Sequence, residues 1–380
     1  MKLSLQPVHR LRRWLLALAL LLTVLAMSGC QTLSYYGQAI KGQYQIVAHR
    51  QKIEKLLADA HTPAPLKAQL QLVQELRAFA AKDLKLPVDG HYENYVDVHR
   101  RFVVWNVEAA PEFSLEPRAW WYPFVGSLEY RGYFSERGAQ DYAARLRKKG
   151  YDVYVSGVEA YSTLGWFKDP VLNTFIANAE PDLAETIFHE LGHQRVFASG
   201  DTDFNEAFAT TVGQEGARRW LSAKGNPVAR ERYEAQLRRT DQFVHLIMAT
   251  RQDLETLYGD ERTTAGDLKA ADRPRVAASD QLRGQKQQIL EDLQQQYRKL
   301  KAEQWGGDDQ YDQWFAHGLN NAKLNSVAAY YDLVPGFERL LAQSGGNLEK
   351  FYQAASQLAK RSKQERDKRL SILGKAQADH

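Results

Sequence analysis

Apolar positions in this chain follow three different rhythms. The first is an almost unbroken apolar run from Trp14 to Met27, preceded by Lys2, Arg10, Arg12 and Arg13. It is too short to cross a membrane comfortably and has the architecture of an export signal. The second rhythm is helical. Ile40, Tyr44, Val47, Leu56 and Leu57 recur at helical spacing between Thr32 and Lys85. His61-Thr62-Pro63-Ala64-Pro65 interrupts the pattern, and Leu66 to Phe79 resumes it. The third rhythm is β-like and aromatic, from Leu86 to Gly132, with strands predicted at Phe102–Trp105 and Trp120–Val125. Ser135 then caps a helix that runs to Lys149 and stops at Gly150. Tyr151 to Val155 alternates like an edge strand, and Gly157 to Trp166 reads as a loop.

From Pro181 onward the pattern is helical almost throughout. One helix starts at Pro181-Asp182 and ends at Gly200. A second starts after Asp201-Thr202-Asp203 and runs through Trp220 until Asn226-Pro227. Val228–Tyr258 and Ala277–Gln304 are long charged helices joined by a Gly266–Arg275 loop. Asn320–Leu341 is helical again, and the charged tail beyond Lys360 is expected to fray. The prediction is an α+β fold, predominantly helical. Its expected divisions are a signal at 1–29, a helical segment at 30–85, a mixed segment at 86–180, a helical segment at 181–360 and a tail at 361–380.

Charge narrows the partners. The formal net charge is +4, and the four basic residues of the leader account for all of it, leaving 46 basic against 46 acidic residues. A nucleic-acid partner, which needs a basic excess, is not expected. Cys30 is the sole cysteine, so no internal disulfide can form. Met27-Ser28-Gly29-Cys30 resembles the lipobox of bacterial lipoproteins; a buried thiol or an uncleaved anchor is the other reading. The resemblance implies a lipidated Cys30 and a protein anchored to a membrane without spanning it. Gln31 after the cysteine implies the outer membrane, facing the periplasm.

The chemistry concentrates between Glu185 and Gln214. His189-Glu190-Leu191-Gly192-His193 forms H-E-x-x-H. On a helix the two histidines leave the same face and can share one zinc ion, while Glu190 stands beside the metal as a base for water. A polar face carrying two satisfied histidines is the plain alternative. Apolar Ala184, Ile187, Phe188, Leu191 and Val196 argue for a buried helix, whose histidines need partners. A catalytic zinc takes three protein ligands, and Glu206, thirteen residues after His193, falls in the first turn of the next helix. Glu215 is the fallback. His91 and His99 have no partner at ligand spacing and read as ordinary polar residues.

H-E-x-x-H followed by Asn205-Glu206-Ala207-Phe208-Ala209 resembles the gluzincin metallopeptidases, above all the zinc aminopeptidases related to aminopeptidase N. The loop between the two motifs is shorter here than is usual in that group. Most of the mature chain also resembles lipoprotein aminopeptidases of Gram-negative bacteria. The matching pieces are the lipobox, Arg131–Ser135, Ala160–Phe167, Asp169-Pro170, the H-E-L-G-H helix, Leu319–Leu324, Tyr330 and Val334-Pro335. The resemblance implies one Zn²⁺ held by His189, His193 and Glu206, Glu190 as general base, and Tyr330 as oxyanion donor; a core tyrosine is the competing reading. It implies peptide substrates bound along an edge strand near the metal helix, here Val155–Thr163 with Tyr161. Glu159 would hold the substrate's free amino group or be an exposed surface acid. An aminopeptidase is expected; a gluzincin endopeptidase, a structural zinc site and an inactive envelope lipoprotein acting as a scaffold are the alternatives.

Overall fold

The computed structural model describes residues 34–122, 126–160, 168–264 and 278–378. The leader, Cys30 and Tyr161 lie outside the described residues. Residues up to His49 and from Arg50 onward form two compact units. In the first, residues 34–48 form helix α1. No helix of the described residues is long and apolar enough to cross a membrane.

The second unit is predominantly helical with small sheets, as the patterning predicts. Strands β1 (Gln51–Lys52) and β2 (Asn94–Val96) pair antiparallel, and β8 (Val171–Leu172) adds to β2 in parallel. Helices α2 (Ile53–Ala58) and α3 (Ala64–Lys82) lie between β1 and β2 in the chain. The Pro63–Pro65 break predicts the start of α3: Pro63 sets an extended entry and Pro65 occupies its first turn. The second sheet has β3 (Val104–Pro111) at its centre, flanked antiparallel by β6 (Tyr130–Tyr133) and β7 (Tyr151–Val158). A hairpin of β4 (Trp120–Tyr122) and β5 (Gly126–Leu128) stands apart. Helix α4 (Glu136–Arg147) starts where predicted, the Ser135 hydroxyl accepting from the Gly138 N–H at 3.3 Å. β7 is an edge strand, as its alternation predicts.

Two helices form the centre. α5 (Glu180–Arg195) and α6 (Thr202–Ala223) pack along one another and are buried over most of their surface. Glycines set their approach: a methyl at Gly213 would sit 2.8 Å from the Glu185 carbonyl oxygen and 3.2 Å from the His189 Cβ. One boundary differs from expectation. α5 ends at Arg195, not at Gly200, and Val196 is extended. The cause is Asn205, whose amide accepts from the Ala198 N–H at 2.7 Å and donates to the Ala198 carbonyl at 2.8 Å. That side chain replaces the bonds a continued helix would make, so the chain reverses in six residues. Gly200 keeps the positive φ (+76°) that its identity predicts, inside this turn.

A second cluster is built by α7 (Pro227–Thr264) and α8 (Ala278–Glu303), with Ile247, Leu254 and Leu293 fully buried. α9 (Asp312–Phe315) and α10 (Asn321–Tyr331) close it, and α10 also packs on α6 and β3. Asn320 caps α10. Asn321, fully buried, donates to the carbonyls of Pro111, Glu112 and Ser114. Lys323, equally buried, donates to the carbonyls of Trp314 and His317. These bonds give the Leu319–Leu324 motif its structural work, which is to seat α10. The tail expected to fray instead forms α13 (Lys363–Ala378), which follows α11 (Val334–Gln343) and α12 (Leu348–Ala359). Buried Arg366, Leu370 and Leu373 hold it down. Charged spacing hid a stripe of buried positions at 366, 370 and 373, which is helical spacing.

Candidate metal centre

The H-E-x-x-H segment lies in the last two turns of α5, so His189 and His193 project from one face. Glu206 lies one turn into α6, whose start is fixed by Asp201: its carboxylate accepts from the Phe204 N–H at 3.3 Å. The tight turn, the Asn205 clamp and this cap together aim Glu206 back at α5. His189 Nε2 and His193 Nε2 are 3.1 Å apart. Glu206 Oε2 lies 3.4 Å from the first and 3.6 Å from the second. Among the described residues, this is the group of three or more potential ligand side chains close enough to share an ion.

The spacing tests what could sit there. Tetrahedral zinc with bonds of ~2.0–2.1 Å requires ligand atoms about 3.3–3.4 Å apart, and the three separations bracket that value. The donor set of two imidazoles and one carboxylate suits zinc, and three protein ligands leave one position for a reactant. Glu190 Oε2 and His193 Nδ1 are buried without hydrogen-bond partners, an unusual condition for polar atoms.

Burial is the largest influence on all four ionisable groups of the site. Burial pushes the Glu190 carboxyl up to about 8, with Glu206 and Asp169 adding to the effect. Burial also acts most strongly on Glu206, pushing it upward. The two imidazoles outweigh it and hold its carboxyl far below the usual range. Burial lowers His189. It lowers His193 too, but there Glu206 prevails and the net shift is upward.

Tyr330, on the last turn of α10, stacks its ring on His189, centroids 6.2 Å apart. The negative charge of Glu206, then burial, hold its hydroxyl well above its ordinary value, so it stays protonated as a donor. Tyr331 turns the other way and packs into the α7–α8 cluster. Glu215 is engaged elsewhere, its carboxylate accepting from Arg219 at 2.7 Å. Glu159 is held by Asn178, which donates to its carboxylate at 3.2 Å. His91 is buried and accepts at Nδ1 from the Asp169 N–H at 3.1 Å, with Gln194 Nε2 at 3.0 Å and the same Gln194 donating to Asp169 at 3.2 Å. This network braces the residue after His193. His99 is exposed beside Asp97.

Tyr330 also lines a cleft with Asn106, Glu108, Glu129 and Tyr130, among others, with an empty volume of about 410 Å³ including its open mouth. Sequence reasoning passed over Glu108 and Glu129. The signal that could have found the first is its setting: the single charged residue in Val104-Trp105-Asn106-Val107-Glu108-Ala109-Ala110, a mostly apolar central strand.

A family model described as "Putative aminopeptidase" matches residues 34–370. No curated protein and no solved structure matches the chain.

Proposed function

This chain belongs to that aminopeptidase family, and we propose on that premise that it is a zinc-dependent enzyme that removes residues from the N-termini of peptides by a gluzincin-type mechanism. The observation that carries the metal assignment is the triangle of ligand atoms, 3.1, 3.4 and 3.6 Å on its sides. His189, His193 and Glu206 would hold the ion. Zinc there supplies Lewis acidity, polarising a carbonyl and lowering the pKa of water.

The chain's own groups do the proton work. Glu190 takes the proton from the attacking water and delivers it to the leaving amine. Its burial without a partner favours transfer in both directions, and a nearby cation favours its ionised form at the start. The protonated Tyr330 hydroxyl donates to the oxygen on which negative charge develops. Asn205 and Asp201 position Glu206 through the turn and cap described above.

Metal analysis of the purified protein, together with hydrolysis of free and amino-blocked peptides, tests the reading. Stoichiometric zinc and cleavage confined to free N-termini are expected. Equal cleavage of blocked peptides would make it an endopeptidase. Glu190→Gln should keep its zinc and lose at least about a hundredfold in kcat; retained turnover would sink the mechanism.

The lipobox-like Met27–Cys30 supports an enzyme tethered by lipid to the outer membrane and facing the periplasm. Cys30→Ala should move it from the membrane to the soluble fraction on cell fractionation. Unchanged sedimentation with the membrane would refute the tether.

A further inference from the structure

Helix α1 presents apolar side chains to solvent. Ile40 is 69 %, Tyr44 70 % and Val47 36 % exposed. Those positions recur at helical spacing and share one stripe, and half-buried Tyr36 extends it by a turn toward the N-terminus. Gly42 and Ile46 lie on the opposite side of the helix and are buried. The other large exposed apolar residues among those described, Trp121, Val228 and Ile372, are scattered along the chain. Single exposed apolar residues are ordinary; three on successive turns of one helix need a partner.

Two observations identify that partner. The first is position. α1 starts at residue 34, four residues after Cys30, and four residues reach at most about 14 Å. A lipid on Cys30 would therefore hold the start of the helix at a bilayer surface. The second is charge. Residues 30–53 hold no Asp or Glu, while Lys41, Arg50 and Lys52 lie among them. The chain from Cys30 onward is balanced overall, so this excess is local. Lys41 is exposed and borders the stripe. An apolar stripe with a basic flank suits a helix lying flat on an anionic bilayer, its tyrosines at the level of the headgroups.

We propose that α1 docks on the surface of an anionic phospholipid bilayer, with Tyr36, Ile40, Tyr44 and Val47 in the interface and Lys41 toward the lipid phosphates. The tether's part in this rests on the lipidation of Cys30; the docking surface does not. A tether confines α1 at high effective concentration, so weak and reversible affinity is enough. Affinity of that size is lost when a lysate is diluted, so the expected release of Cys30→Ala on fractionation stands.

The test uses residues 30–380 with Cys30→Ala, which carry no lipid. This protein is titrated with concentrated vesicles of equimolar phosphatidylethanolamine and phosphatidylglycerol, and separately with phosphatidylcholine vesicles. Co-sedimentation with the first should exceed that with the second at least about fivefold, and salt should weaken it. Ile40→Gln, Tyr44→Gln and Val47→Gln together should cut the partition at least about tenfold. Val228→Gln with Ile372→Gln, the same kind of change at other exposed positions, should not. Because Cys30 is the sole cysteine, Tyr44→Cys or Gln45→Cys in this background carries a single label. The label at position 44 should become shielded from an aqueous quencher when anionic vesicles are added. The label at position 45, exposed but off the stripe, should not. Absent partition, equal partition into both vesicles, or undiminished partition of the triple variant would overturn the proposal. A parent dimer that the triple variant converts to monomers would overturn it too, since a second copy would then cover the stripe. If the triple variant does not fold, the two labels decide. No lipid is attached in any arm, so the result is independent of whether Cys30 is acylated.

Discussion

At the scale of single residues, the molecule places several buried acids where their charge is unwelcome. Glu108 is the clearest. Its carboxyl ionises near 4.5 in an open chain and at about 8 in the fold, chiefly through burial and then through Glu129. The sign follows from linkage. Because the folded value is the higher one, Glu108 leaves stability intact below about pH 4.5 and removes it as pH rises to about 8. Glu129 and Glu185, both raised to about 7, act in the same direction. Glu108→Gln removes one such contribution. Its Tm should match the parent's at pH 5 and exceed it by on the order of 2–5 °C at pH 8.5. A shift of equal size at both pH values would show that burial of the charge is not the cause. The residue-scale chemistry was unevenly legible in the sequence. The convergence of His189, His193 and Glu206 was readable because their spacing encodes a shared face and an adjacent turn. Glu108 and Glu129 were not, because a strand acid has meaning only once its neighbours across the sheet are known.

At the scale of elements, what the chain makes legible depends on how local the cause is. The Ser135 cap, the proline entry to α3 and the positive φ at Gly200 are local, and each is readable from a few neighbouring letters. The end of α5 is not. Val196 to Ala198 continue an apolar pattern that suits a helix, and only the Asn205 amide, seven residues on from Ala198, withdraws the backbone bonds that a helix would use. Asn205 thus acquires a physical reason that the N-E-x-F-A pattern alone does not give: it makes the turn tight enough for Glu206 to reach α5. Gly213 works with it. The close crossing leaves no room for a Cβ beside Glu185 and His189, so the two ligand helices meet at backbone distance. The short inter-motif loop is therefore compatible with a shared ion because two small devices, an amide clamp and a glycine contact, bring the helices together.

At the scale of the whole molecule, the C-terminal helix reaches back to the start of α6, the helix that carries Glu206. Arg366 on α13 donates through Nε to Asp201 Oδ2 at 2.7 Å, and Lys363 donates to Asp201 Oδ1 at 3.1 Å. Arg366 and Asp201 are both buried. Nothing in the local pattern near residue 366 announces this, since the partner lies 165 positions away; the charged composition of the tail instead suggested fraying. Asp201 is also the cap of α6, so the pair fixes the end of the helix that presents Glu206 one turn later. Removing Arg366 leaves the buried Asp201 with only the part-exposed Lys363 as counter-charge, which costs up to roughly 3–5 kcal/mol. Arg366→Leu should lower unfolding stability by an amount in that range and also weaken zinc binding, since the carboxylate ligand loses its fixed starting point. Arg369→Leu, at an exposed position on the same helix, should do neither. Denaturant unfolding paired with zinc competition against a chelator separates the two effects. If Arg366→Leu lost stability but held zinc as tightly as the parent, α13 would merely brace the fold, and the idea that it sets the geometry of the metal centre would fail.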